Sequence, residues 1–375
     1  MAGDIWDVVV VGGGPAGAAL ACFLRQGGAD VVVLDAARFP RDKICGEGVS
    51  PRAWPLLEEM GAANGVRALS PRPLLGMRLR SPDGTTFQGS YPREKPPGLA
   101  VRRLHLDTTL LEHARSLGAE VHEGTRATGL VWQDGVVQGV EAQGPDGTQA
   151  RWRGRLVVGA DGRHSLVAAR LHLRRLHSRL RRFAVRGFWD GIEGLDDYGE
   201  MHVGGGGYCG LAPLGPAFAN VAFVLHEREM AEAAGDVEGF HRRALRERWP
   251  HLAERMTRAR LVEPPRALGP LAVQARALTA PGALLVGDAA GFYDPFTGEG
   301  VTLALSTARI AAQAALEALQ ARDAASRLAR PPAGYERARH AATRDKFRFN
   351  RLLQVAVGWP EVGNQVARRL ARRPD

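Results

Sequence analysis

Cysteine is nearly absent from this 375-residue chain, and the three that occur, Cys22, Cys45 and Cys209, lie far apart. That scarcity excludes a disulfide framework, and no CxxC pair offers a metal-binding spacing. A reducing, cytoplasmic setting is the expectation, with peripheral attachment to a membrane as its variant. Lysine is as rare: Lys43, Lys95 and Lys346 are the only ones, so arginine carries the formal net charge of +10. No nucleic-acid-binding motif accompanies that charge, which argues against a nucleic-acid partner. No apolar run is long and clean enough for a transmembrane segment, because the tract 301–319 is broken by Arg309, Gln313 and Glu317 and reads as an amphipathic helix. Asp4 and Asp7 precede the apolar N-terminal stretch, against the pattern of an export signal. Internal repeats and low-complexity segments are lacking as well.

What remains is ordinary for a globular protein, with 45% hydrophobic and 24% charged residues. The positive field favours anionic partners: cofactor phosphates, an acidic lipid surface, an acidic carrier protein or an electron-donor protein. Arginines gather at Arg174, Arg175, Arg179, Arg181 and Arg182, and again at Arg368, Arg369, Arg372 and Arg373. These read as solvated faces, with docking to an acidic partner as the alternative.

The segment from Asp7 to Asp35, DVVVVGGGPAGAALACFLRQGGADVVVLD, reads as strand, glycine turn, helix, strand and terminal acid. Gly12 permits the tight turn, Gly14 lets a pyrophosphate approach the backbone, and Gly17 lets the helix pack on the strand. The helix expected over 15–26, opened by Pro15 and Ala16, aims its free N–H groups at that pyrophosphate. Asp35 stands where a carboxylate accepts the hydrogen bonds of an adenosine ribose. A second match to the same spacing, Gly205, Gly207 and Gly210, is discarded: no hydrophobic strand leads into it, and Pro213 and Pro216 occupy the place of the helix. One nucleotide module is therefore expected, with no second one for a nicotinamide.

Further along, Ser50 is the expected cap of a helix with Pro51 at its first position and Gly61 at its end. Asp83-Gly84 marks a hairpin, and strands are expected in FAVRGFW, GEMHVGG and NVAFVLHE, with a helix over 236–249. Phe188, Trp189, Phe218 and Phe223 are candidate cavity walls, and His202 and Tyr208 lie where they could reach a bound ring. The fold class is α/β: a Rossmann-type nucleotide-binding domain, an inserted antiparallel-sheet substrate lobe and a helical C-terminus. The nucleotide-binding domain is assigned to 1–70, 101–175 and 276–320, the lobe to 71–100 and 176–275, and the helical segment to 321–375.

Three glycine-aspartate clusters stand at the ends of predicted parallel strands: GxGxxG at Gly12, GADG around Asp161, and GDAAG with Gly287 and Asp288. The carboxyl ends of parallel strands share one edge, so the three can surround one extended ligand. DPFTGEG, with Pro295, Gly298 and Gly300, then makes a loop that opens the helix expected from Val301. A helix N-terminus there would stabilise negative charge on an electron-accepting ring.

With these motifs the chain resembles the FAD-dependent oxidoreductases of the para-hydroxybenzoate hydroxylase fold, and most closely the geranylgeranyl reductase family within it. The matches are VVVGGGPAGAALA, PRDKICGEGVSPRA, LVVGADGRHSLV and GDAAGFYDPFTGEGVTLAL. The resemblance implies FAD as cofactor, with Asp35 at the adenosine ribose, Arg103 in contact with the cofactor, and Asp161 and Asp288 near its pyrophosphate and ribityl chain. It also puts Cys45, in KICGEG, near the flavin, as a candidate for a direct chemical role beside Tyr208. The chain departs from that family's Tyr-x-Trp-x-Phe-Pro pattern: YCGLAP keeps Tyr208 and Pro213 but has Gly210 and Ala212 where large aromatics belong. A wider cavity, or one shaped for a ring system, is the expectation. The Trp-x-Trp-x-Ile-Pro segment of halogenase relatives is missing too, which disfavours halogenation.

The function expected is reduction of a carbon–carbon double bond in a small apolar substrate, isoprenoid-like or polyketide-like. The alternative is oxygen-dependent hydroxylation of an aromatic or polyketide substrate, and a third is a flavin-bound maturation or binding protein without turnover. The reductant is left open between NADPH, NADH and a redox protein.

Overall fold

The computed structural model of the chain describes residues 5–177, 180–233, 235–321, 328 and 333–372. Arg179 and Arg373 of the arginine clusters lie outside the described residues.

The valine run becomes strand Trp6–Val11, and Val8, Val9 and Val10 are wholly buried in a core that also takes in helix Pro15–Gln26 and the hairpin residues Leu130, Val137 and Val140. That strand sits near the middle of an eight-stranded sheet, ordered Thr279–Ala280, Ala283–Leu285, Gln149–Gly159, Trp6–Val11, Val31–Asp35 and Glu120–Glu123. The five strands from Ala283–Leu285 to Glu120–Glu123 run parallel. Val11 stands opposite Gly159 and Leu34, and Gly159 opposite Leu285, so these strands end level with one another. The long strand Gln149–Gly159 also pairs, over its first half, antiparallel with Val136–Gln143, which forms a hairpin with Arg126–Gln133. Helix Pro15–Gln26, rich in alanine and buried on nearly every side, lies between helices Arg103–Ser116 and Gly300–Leu319. Cys22 is fully buried inside it.

A second sheet runs in the order Arg260–Leu261, Arg182–Asp190, Phe218–His226, Gly207–Pro213, Tyr198–Gly204, Gly76–Arg80 and Thr86–Ser90. It is antiparallel except where Tyr198–Gly204 pairs parallel with Gly76–Arg80. Its central strand Gly207–Pro213 was not among the strands expected, since its glycines read as loop. The discarded glycine match is a hairpin turn into that strand, with Gly205 and Gly206 at φ +61 and +81, and no helix follows it. Helices Val237–Arg248 and Pro250–Arg255 cover one face, the first capped by Asp236 Oδ1 accepting the Gly239 amide at 2.7 Å.

Two expectations are corrected here. Ser50 makes no side-chain cap; its hydroxyl bonds Thr302 Oγ1 at 3.2 Å, tying the loop to the later helix Gly300–Leu319, and the helical stretch begins as a short 3-10 turn, Pro51–Ala53. Trp189 and Phe223 are not cavity walls: they stack under the covering helices with Phe240 and Trp249, on the far face of the sheet. Phe188 and Phe218 pack on each other, and Phe188 carries the guanidiniums of Arg102 and Arg186, each 4.2 Å from its centroid. The C-terminal residues form helices Ala333–Gly358 and Pro360–Ala371.

Candidate functional site

The three glycine bends meet. A Cβ on Gly17 would fall 1.8 Å from the Gly12 carbonyl oxygen, and one on Gly12, at φ +102, 2.6 Å from the carbonyl oxygen of Ala160 in GADG. A Cβ on Gly287 would fall 2.7 Å from that of Ala16. Each bend is therefore held against the next by the absence of a side chain.

They open on one cavity of about 710 Å³. Gly12, Gly14, Pro15, Ala16, Asp35, Cys45, Arg103, Asp161, Tyr208, Gly287, Asp288, Pro295, Gly298 and Gly300 all line it. Gly17 alone of the predicted set lies behind the wall, packed on Gly12.

At one end Asp35 Oδ2 accepts the Gly13 amide at 2.7 Å and Oδ1 the Ala37 amide at 2.8 Å, which fixes the carboxylate at the cavity edge. In the middle Arg41, Lys43, Arg103, Arg163 and Arg339 line the walls around Asp288. Asp288 has no hydrogen-bond donor among the described residues; burial raises its carboxyl, and Arg163, Arg103, Lys43 and Arg339 draw it back. Lys43 is an exposed residue at the cavity wall, and desolvation, then Arg41 and Arg103, lower its ammonium from the ordinary range. Arg103 is locked by both oxygens of buried Asp107 at 2.5 and 2.8 Å, and Arg41 shares Asp107 Oδ2 at 2.8 Å. Such fixed cations around glycine turns suit a pyrophosphate. Asp161 uses Oδ2 to accept the Leu166 amide at 2.6 Å, and its Oδ1 is buried without a partner. A carboxylate short of a donor and a cradle that only glycines permit are what a dinucleotide with free hydroxyls would complete.

At the other end the cavity meets the open face of the second sheet, where Ala184, Met201, Gly210, Ala212, Ala222 and Val224 form an apolar floor. A Cβ on Gly210 would make ordinary contacts, the nearest with Met201 Cε at 3.5 Å and two carbonyl oxygens at 3.8 Å, so a side chain here is not excluded by a clash at its first atom. Tyr208 donates its hydroxyl to Asp294 Oδ1 at 2.6 Å and packs edge-on against Phe296, 4.8 Å between centroids. Burial, then Asp294, pushes the Tyr208 phenol well above its ordinary range. Its proton is thus committed to the loop Asp294–Gly300 that it braces. His202 does not reach the cavity: Nε2 bonds Glu200 Oε2 at 2.8 Å and Nδ1 faces His251 Nε2 at 3.0 Å. Strand alternation sends it to the face opposite Met201.

Cys45 lines the cavity, with its carbonyl bonded by Asn220 Nδ2 at 2.7 Å, and burial pushes its thiol upward despite Arg103. Glu47, two residues on, was missed by sequence reasoning. It is buried at φ +60, and burial pushes its carboxyl up to about 8. Arg339, from the C-terminal helix, was missed as well, and nothing local in its sequence marks it.

The sequence family described as FAD binding domain matches residues 6–349. Menaquinone reductase of Mycobacterium tuberculosis is 32% identical over 339 residues, covering 86% of this chain and 78% of that protein. Digeranylgeranylglycerophospholipid reductase of Methanosarcina acetivorans is 29% identical over 346 residues, covering 85% and 77%. Among solved structures, a geranylgeranyl bacteriochlorophyll reductase-like protein of Thermoplasma acidophilum superposes with TM-score 0.83 at 21% identity, over 99% of this chain and 92% of its own. The myxobacterial chondrochloren halogenase superposes with TM-score 0.85 at 21% identity, over 92% and 82%, so the fold alone does not separate reduction from halogenation.

Proposed function

This chain belongs to the FAD binding domain family, among the FAD-dependent oxidoreductases that include the geranylgeranyl reductases, and from that premise we propose that it reduces a carbon–carbon double bond in an apolar, isoprenoid-like or polyketide-like compound. The observation that carries this reading is the continuity of one cavity from the Asp35 edge to the apolar floor at Gly210 and Ala212. The names of the two reductases above, for menaquinone and for digeranylgeranylglycerophospholipid, support it.

In this reading Asp35 holds the adenosine ribose, the glycine turns and Arg103 hold the pyrophosphate, and Asp288 takes ribityl hydroxyls. The helix Gly300–Leu319 opens at the cavity wall, where the partial positive charge of its N-terminus would favour an anionic group of a bound cofactor. Bound there, FAD supplies the hydride equivalent. Cys45 keeps its proton through neutral pH and stands at the cavity wall, so it is assigned the proton delivered to the second carbon. Tyr208 positions the loop through Asp294. The apolar floor excludes water from the double bond. Electrons arrive from NADPH, NADH or a redox protein.

Oxygen-dependent hydroxylation is the second reading, favoured by the small residues Gly210 and Ala212 on the cavity floor, which leave width for a ring. The test is anaerobic: the FAD-loaded protein is reduced with dithionite, excess reductant is removed, and a polyprenyl alkene is added while the flavin absorbance is followed. Reoxidation without oxygen, with a saturated product, supports reduction. Product formed only after oxygen is admitted, and carrying an oxygen atom, overturns it.

A further inference from the structure

Eleven large apolar side chains stand exposed among the described residues, and six of them, Phe349, Leu352, Trp359, Val362, Val366 and Leu370, fall within the single stretch 349–370. Scattered apolar side chains on a surface are ordinary, but a cluster of them marks a contact. These belong to the second half of helix Ala333–Gly358, the elbow after it and helix Pro360–Ala371, two helices packed on each other.

The inward side of the pair is already occupied. Leu353 and Val357 pack against the cluster around Tyr208 and Phe296, and Asn350 is buried with Nδ2 on the Asp294 carbonyl at 3.0 Å. Helix Pro360–Ala371 meets the hairpin Gly76–Ser90 through polar groups: Asn364 Oδ1 accepts the Asp83 amide at 3.1 Å, and Arg368 pairs with Asp83 at 2.7 Å. Val362, Val366 and Leu370, spaced four apart and so on one face, are left outward, each 39–45% exposed. A helix seated on a soluble domain usually does the reverse. Exposed Arg348, Arg351, Arg369 and Arg372 lie among these apolar residues, with only Asp345 and Glu361 to offset them between 344 and 372.

We infer that this face docks the protein on the surface of an anionic lipid bilayer, with the apolar stripe at the acyl boundary and the arginines at the headgroups. Trp359, 65% exposed at the elbow, is the residue type that settles at such an interface. A second copy of the chain would bring like charge against the same arginines, which disfavours self-association as the cover. No helix among the described residues is long and apolar enough to cross a membrane, so the helices lie in the plane of the interface. Helix Ala333–Gly358 also lends Thr343 and Phe347 to the cavity wall, so docking sets the lipid about 10 Å, one helix width, from the cavity. The benefit of that closeness rests on the proposed apolar substrate, whereas the docking itself does not.

The test sediments the FAD-loaded full chain, without substrate, with vesicles of phosphatidylcholine alone or mixed with phosphatidylglycerol, at low and high salt. The protein pellets with the anionic vesicles and less with the neutral ones, and salt narrows the difference. Val362→Ser/Val366→Ser/Leu370→Ser lowers partitioning about tenfold or more, with thermal midpoint and flavin absorbance unchanged. Arg369→Gln/Arg372→Gln lowers the preference for anionic vesicles alone. A wild-type chain that stays in the supernatant with every vesicle overturns the inference, as does a dimer that the triple substitution dissociates. Because no turnover is scored, failure here leaves the alkene reduction standing, and failure of that reaction leaves the docking standing.

Discussion

Glu47 Oε2 accepts the backbone amide of Arg103 at 2.6 Å, capping helix Arg103–Ser116 from a loop remote in sequence. Its other oxygen is buried without a partner. Burial raises the carboxyl from 4.5 to about 8, against the pull of Arg103 and Arg186. Between those values the folded state binds more protons than the unfolded one, so stability falls as pH rises through the window and levels off above it. Glu47→Gln retains an acceptor for the Arg103 amide and removes the titration. Its thermal midpoint, followed by circular dichroism, should gain on the wild type by a few degrees, on the order of 5 °C, between pH 5 and pH 8. Midpoints that run parallel across that range would count against the buried acid.

Asp35→Ala removes the acceptor that orients the Gly13 amide and the carboxylate expected at the ribose. FAD affinity, read by quenching of flavin fluorescence, should weaken about tenfold, equivalent to roughly 1.4 kcal/mol. An unchanged dissociation constant would remove Asp35 from the cofactor site.

Cys45→Ala separates chemistry from packing. With a proton held at the cavity wall, its loss should lower turnover about 100-fold while the FAD dissociation constant stays within about twofold. Iodoacetamide should label the wild-type thiol slowly at neutral pH and faster in alkali, because burial keeps it protonated. Turnover that survives the substitution would assign Cys45 to packing.

Gly210→Phe refills the space above the second sheet. A ring-bearing substrate should then show a KM raised about tenfold, the scale of a modest steric penalty, while a thin polyene changes little. Equal effects on both would mean that the room over Gly210 plays no part in selection.

The glycine-lined end of the cavity was legible in sequence because close backbone approach leaves a motif of glycines at fixed spacing, even where the partner, as Ala160 is for Gly12, lies far along the chain. Gly12 and Gly287 stand out as positive-φ turns, and Gly17 as the helix position that packs on Gly12. The same rule misled at Gly207–Pro213, where glycine clears the floor of a cavity inside a regular strand. Glu47 and Arg339 were invisible because their burial comes from elements far away in sequence, and an acid or arginine in isolation reads as solvated. The aromatics failed for a subtler reason: alternation along Arg182–Asp190 and Phe218–His226 gives each strand two faces, and only the covering helices decide which face is core.

The level register of Val11, Gly159 and Leu285 carries a consequence for biogenesis. The third member of that row is specified some 270 residues after the first, so a nascent chain has no complete nucleotide cradle until strand Ala283–Leu285 leaves the ribosome. Capture of the yellow ligand thereby reports that synthesis has passed that strand, and products truncated before it emerge colourless and open to degradation.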